Sequence, residues 1–146
     1  MEIQISFQLE IPGLENQKIR SKLVRILEDL GCPDKELSVL FTDDNCIAQL
    51  NRHYLGKNGA TNVLAFPMCD GQTPELESPM LGDVVISVNT ALRESRELGE
   101  NLENTIGRLL VHGVLHLLGY DHEKSIHDAQ RMEKEERRLI ELIQEG

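Results

Sequence analysis

Ile3, Ile5, Phe7 and Leu9 alternate with polar residues, a period that predicts a half-buried first strand, and Pro12-Gly13 breaks it. Ile19, Leu23, Ile26, Leu27 and Leu30 then recur at helical spacing, and Gly31 followed by Pro33 closes that helix. Glu36 to Thr42 reads as a second strand through Leu37, Val39 and Phe41. Thr42 or Asp43 is placed to cap a helix that turns Ile47, Leu50 and Tyr54 inward. After the turn at Gly56 to Gly59, Thr61 to Pro67 predicts a short strand, with Pro67 marking an edge or an end. Cys69 to Pro79 has no periodicity and reads as a loop. Leu81 to Val88 is the most hydrophobic strand and is expected at the centre of the sheet. Asn89 or Thr90 is expected to cap a helix ending at Leu98-Gly99, and a second helix runs from about Leu102 through Leu118. A last helix, from about Ser125 to Ile143, has one apolar and one charged face, which assigns it to packing and solubility. The order βαβα, two strands, then helices predicts one α+β domain over residues 1–146, with helices packed on a small mixed sheet.

One stretch exceeds what scaffold requires. His112-Gly113-Val114-Leu115-His116-Leu117-Leu118-Gly119-Tyr120-Asp121-His122 holds three of the five histidines. Residues four apart on a helix share a face, so His112 and His116 can offer two imidazoles to one ion. His122 is off that face unless the helix stops, and Gly119 can stop it by adopting a left-handed conformation. The surrounding Leu109, Leu110, Val111, Val114, Leu115, Leu117 and Leu118 imply a buried helix, in which two imidazoles need partners. Three neutral imidazoles leave a divalent ion with open positions, the arrangement of a catalytic zinc site rather than a structural one. One zinc per chain is expected, held by His112, His116 and His122 on a central helix.

Composition narrows the setting. A chain of 146 residues can bury a proper core, which at 3% aromatic and no tryptophan is mostly aliphatic. Met1-Glu2-Ile3-Gln4 does not open a signal peptide, and no apolar run approaches the length of a membrane span, so a cytoplasmic protein is expected. Cys32, Cys46 and Cys69 are widely separated and read as reduced thiols. The net charge of −10 argues against nucleic acid if taken alone. Its distribution does not. Asn45 through Cys69 and Asn104 through Tyr120 contain no Asp or Glu, yet carry Arg52, Lys57 and Arg108. If these windows share a face, that face is positive on an acidic body, and the three cations are candidate RNA contacts.

A metal on three histidines suits hydrolysis, because it polarises an oxygen and lowers the pKa of its water toward about 7. The spacing matches the zincin signature H-E-x-x-H-x-x-G-x-x-H at the histidines and the glycine, but Gly113 stands where the proteases carry their general base. Peptidase chemistry is thereby disfavoured. Asp83 and Asp121 are further acid/base or orienting candidates, whereas Tyr120 reads as a packing anchor. His53 and His127 read as surface residues, and Asn62 and Ser87 as positioning groups.

The string H-G-V-L-H-L-L-G-Y-D-H, with T-N-V-L-A-F-P upstream and L-G-D-V-V-I-S between, resembles the YbeY family of bacterial rRNA-maturation proteins. The matching segments run from about Leu50 to His122 in the same order. The resemblance implies a zincin-like architecture and a zinc-dependent, single-strand-specific endoribonuclease of 16S rRNA 3′-end maturation and ribosome quality control. It implies His112, His116 and His122 as metal ligands, ribosomal RNA and the small ribosomal subunit as partners, and no DNA substrate. One position departs: where the family usually has an arginine linked to RNA cleavage, this chain has Leu55. Leucine can neither contact a phosphate by charge nor stabilise a phosphoryl transition state. That departure sustains an alternative, a non-catalytic ribosome-assembly factor with a mainly structural metal.

Overall fold

The computed structural model describes residues 2–11, 13–32, 34–68, 80–120 and 125–144. Its elements are β1 (Glu2–Phe7), α1 (Asn16–Asp29), β2 (Glu36–Thr42), α2 (Asp44–Leu55), β3 (Val63–Pro67), β4 (Met80–Ser87), α3 (Val88–Leu98), α4 (Leu102–Leu117) and α5 (Ile126–Gln144). They follow the order expected from the pattern, and the loop predicted at Cys69 to Pro79 lies outside the described residues. The four strands form one mixed sheet in the order β1-β2-β4-β3. β1, β2 and β4 run parallel, and β3 joins β4 antiparallel as an edge strand that ends on Pro67. A proline at the end of an edge strand costs no ladder hydrogen bond.

Register divides the sheet into two unlike faces. Directly opposed residues share a face, so Ile5, Val39, Val84 and Ala65 form one row, and Phe7, Phe41, Ile86 and Val63 another. These rows meet α1, α4 and α5 in the main core, with Leu23, Leu27, Leu110, Val114, Leu115 and Leu139 fully buried. The opposite face carries a polar row, Gln4, Ser38 and Asp83 beside Phe66, and the row Ser6, Leu40, Val85 and Leu64. Among the described residues α2 packs there, through Ile47 and Leu50. Asp83 therefore points away from α4, which corrects its expected place beside the histidines. Strand alternation decides this: Val84 packs on α4, so its neighbour Asp83 must face the other way.

Two further expectations change. Tyr54 is 62% exposed rather than turned inward, with its ring set edge-on to Phe66 of the edge strand β3. The cap of α3 is Ser87, whose hydroxyl oxygen accepts from the Thr90 amide, so the helix begins at Val88 and not after Asn89 or Thr90. Asp43 is the cap of α2, accepting from the Cys46 amide at 2.8 Å.

α2 is tied to α3 through Asp44. Its carboxylate accepts from the Ser87 and Thr90 hydroxyls at 2.5 and 2.6 Å and from Arg93 at 2.8 Å. Burial pushes this carboxyl up, and the hydrogen bonds together with the Arg93 charge more than offset it, holding it below its ordinary value. Cys32 and Cys46 form no disulfide, whereas Cys69 lies outside the described residues. Among the described residues no helix is long and apolar enough to cross a membrane.

Candidate metal and RNA site

α4 owes its central position to an apolar surface nearly all the way round. Ten of its sixteen residues are buried, with Gly107 and Gly113 at the closest approaches. A Cβ on Gly113 would come within 2.8 Å of Val84 Cγ1 and 3.4 Å of Val63 Cγ2. The missing side chain thus lets the helix settle onto the sheet and leaves no room for a glutamate there. The same position that lacks the protease base is the position that docks the helix.

The helix ends as the glycine predicts. Gly119 has φ +94°, its amide donates to the His116 carbonyl at 3.0 Å, and the Tyr120 amide donates to the Leu115 carbonyl at 3.0 Å. This pair of bonds closes the last turn and reverses the chain. Tyr120 is half-buried beneath Arg131, whose guanidinium carbon lies 4.8 Å from the ring centroid, in keeping with its reading as an anchor. His122 and Asp121 lie outside the described residues.

His112 and His116 converge. Their Nε2 atoms are 3.0 Å apart, and the rings are half-buried on one side of α4. Zinc–imidazole bonds of about 2.0–2.1 Å place two nitrogens on one ion at about this separation, so the pair fits a shared divalent ion. His112 Nδ1 lies 3.0 Å from Glu136 Oε1 of α5. An ionised carboxylate only accepts, so Nδ1 carries the proton and donates it, which leaves the Nε2 lone pair directed at His116. Among the described residues no three His, Cys, Asp or Glu side chains form a ready cluster. Glu136 was invisible in the sequence, where it is one of many acids on a charged helix face. Its only signal is that Met132, one turn earlier, is buried and turns that side of α5 toward α4.

The pair opens into a cleft of about 570 Å³. Asn51, Leu55 and Lys57 form one wall, Thr61 to Ala65 with Pro67 the other, and His112, Gly113 and His116 the floor. Both acid-free windows therefore meet at one site, and none of these lining residues is an Asp or Glu. Asn51 is buried and donates through Nδ2 to the Gly59 carbonyl at 3.0 Å, which holds the intervening turn. Asn62 accepts from the Val63 amide at 2.7 Å and donates to Glu94 at 2.9 Å, the positioning role expected of it.

The three candidate cations separate. Lys57 lines the cleft, Arg52 is exposed outside the lining, and His53 and His127 are exposed as expected. Arg108 is engaged elsewhere, donating to Glu100 at 2.7 Å and lying 4.0 Å from Glu94. The helical position that made Arg108 acid-free in sequence faces acids from α3 and its C-terminal turn in space. Bonds from Arg108 and then Thr105 hold the Glu100 carboxyl below its ordinary value. A carboxyl with a depressed folded pKa adds stability that is complete above the unfolded value, 4.5, and is lost as pH falls through the folded one. Arg108→Met is expected to flatten the acid limb of the melting temperature against pH below that value. Calorimetry across that range measures it, and an unchanged limb would contradict the assignment.

Comparison with known proteins adds an independent line. Residues 4–144 match the family model described as Endoribonuclease YbeY. A Syntrophotalea carbinolica protein named Endoribonuclease YbeY is 47% identical over 137 residues, covering 90% of this chain and 91% of its own. A Geobacter sulfurreducens protein of the same name is 42% identical over 147 residues, covering 100% and 98%. The solution structure of TM1509 from Thermotoga maritima superposes with a TM-score of 0.66 over 97% of this chain and 88% of that one. At 24% identity, that likeness speaks for the fold alone.

Proposed function

Since the chain belongs to the YbeY endoribonuclease family, a family of metal-dependent enzymes acting on RNA, we propose that it is a zinc-dependent, single-strand-specific endoribonuclease of 16S rRNA 3′-end maturation and ribosome quality control. In this reading residues 1–146 form one catalytic domain, working in the cytoplasm on ribosomal RNA of the small subunit. The observation that carries it is the convergence of His112 and His116 Nε2 at 3.0 Å on the floor of a cleft with no Asp or Glu among its described lining residues. His122 is assigned as the third imidazole ligand on the family resemblance and its spacing from His116. Zinc, held once per chain by these residues, supplies Lewis-acid polarisation of a phosphate oxygen or of water.

The chain's own groups do the rest. Glu136 fixes the His112 ring and its tautomer, which keeps Nε2 available as a ligand. Lys57 offers a charge to a phosphodiester in the cleft. Asn51 holds the turn at Gly59, and Asn62 ties the start of β3 to Glu94 of α3. Asp83, on the other face of the sheet, has no part in the chemistry. Leu55 lies in the cleft wall, 50% exposed, and adds no charge where the family usually has arginine.

Labelled unpaired RNA and its duplex are expected to separate the possibilities. The zinc-loaded protein should cut the unpaired strand, lose the activity on chelation and regain it with zinc, while sparing the duplex. Zinc-loaded protein that leaves unpaired RNA intact, and that gains cutting only with Leu55→Arg, would favour the assembly-factor reading.

A further inference from the structure

Tyr54 stands on the last turn of α2 with 62% of its surface open to solvent. Its ring meets Phe66 of β3 edge-on, the centroids 5.3 Å apart at 61°. His53 stands perpendicular to it at 4.6 Å. Tyr54 and Phe66 line a second groove with Leu40, Leu50 and Asp83, and their chain neighbours Leu55 and Pro67 line the cleft, so the rings stand where groove and cleft adjoin at the β3 edge. From Asn45 through Met68 the chain has no carboxylate, while Arg52, His53 and Lys57 are present.

We propose that Tyr54 is a stacking platform for an unpaired base of the RNA strand whose phosphate lies beside Lys57. The proposal rests on the nuclease reading above and names how that site holds its substrate. An exposed aromatic face next to a cleft that carries a cation, here Lys57, is the usual means of holding a single strand without reading its sequence. A paired base already has both faces covered by its neighbours, so the ring selects against a duplex. Leu55 fits the same role, since an uncharged cleft wall leaves base contacts to supply what phosphate contacts do not. Asp83 limits the direction of the strand. It is the cross-strand partner of Phe66 on the reverse face, so a phosphate moving past Phe66 onto that face meets a negative charge. The phosphates are thereby confined to the Lys57 side, with the base turned onto the ring.

The chain has two tyrosines and no tryptophan, so in the Tyr120→Phe variant the tyrosine emission comes from Tyr54 alone. Zinc-loaded protein is titrated with uncleavable 2′-O-methyl octamers of uridylate and adenylate, and with an abasic octamer carrying the same phosphates. Both base-bearing octamers should quench the emission, adenylate more strongly, and the abasic one should not. In the otherwise wild-type chain, Tyr54→Leu should weaken the base-bearing octamers by about tenfold, with Tyr54→Phe near wild type and abasic affinity unchanged in both. Cutting of unpaired RNA with Tyr54→Leu binding as tightly as wild type would overturn the stacking assignment alone. Equal loss of the abasic octamer would overturn it too, since the ring would then be acting on the fold or the phosphates. Wild-type protein that neither binds nor cuts unpaired RNA would remove the nuclease reading and the platform together.

Discussion

His116→Ala is expected to abolish stoichiometric zinc binding and to lower cleavage of unpaired RNA by at least about 10³-fold, the size of a lost Lewis-acid contribution of several kcal/mol. His116 is half-buried, and its Nε2 meets that of His112 at 3.0 Å, so its removal takes away one of the two described imidazoles proposed to hold the ion. The scaffold should survive, because the helix is anchored by Leu110, Val111, Val114 and Leu115 and not by its histidines. Zinc content by mass spectrometry under native conditions, circular dichroism and cleavage of a labelled strand form the test. A folded variant that still holds one zinc and cuts normally would show that the ion sits elsewhere.

Gly82→Ala is expected to destabilise the chain by about 2–4 kcal/mol, a fall of about 5–15 °C in melting temperature. Two independent costs act at this position. Its φ of +150° is one that residues with a Cβ rarely adopt, and it follows a register shift in which Leu37 pairs with Gly82 while Glu36 pairs with Met80. An added methyl would also collide with the backbone carbonyl oxygen of Phe66 and come within 2.7 Å of Leu117 Cδ2. The first obstacle is main chain and cannot move aside without shifting β3, which is a wall of the cleft. Gly107→Ala is the control. Its new methyl would meet Ile143 Cδ1 at 3.1 Å and Lys22 Nζ at 3.8 Å, both ends of flexible side chains, and alanine favours the helix. Thermal unfolding of the two variants should differ sharply, and equal melting temperatures would show that the close approach at Gly82 is relieved at little cost.

By itself the sequence determined the elements and the histidine pair on α4. Period-two and period-3.6 patterns are local, so β1, α1, β2 and α4 could be read directly. The two histidines four residues apart needed only helix geometry to share a face, and Gly119 needed only its own conformational freedom to end that helix. Leu55, which stands where the family resemblance implies an arginine, was equally plain. Tertiary structure decided what depended on neighbours distant in sequence. Asp83 went to the reverse face because register, not alternation alone, fixes which row packs on α4. Arg108 was drawn to Glu100 and Glu94, which no window of α4 contains. Tyr54 stayed exposed beside Phe66 of β3, the strand at the edge of the sheet. Glu136 became the partner of His112 because α5 packs across α4, so that a charged face twenty-four residues away supplies a carboxylate to that ring. Spacing along the chain fixes which groups share an element, but only packing between elements fixes which groups share a site.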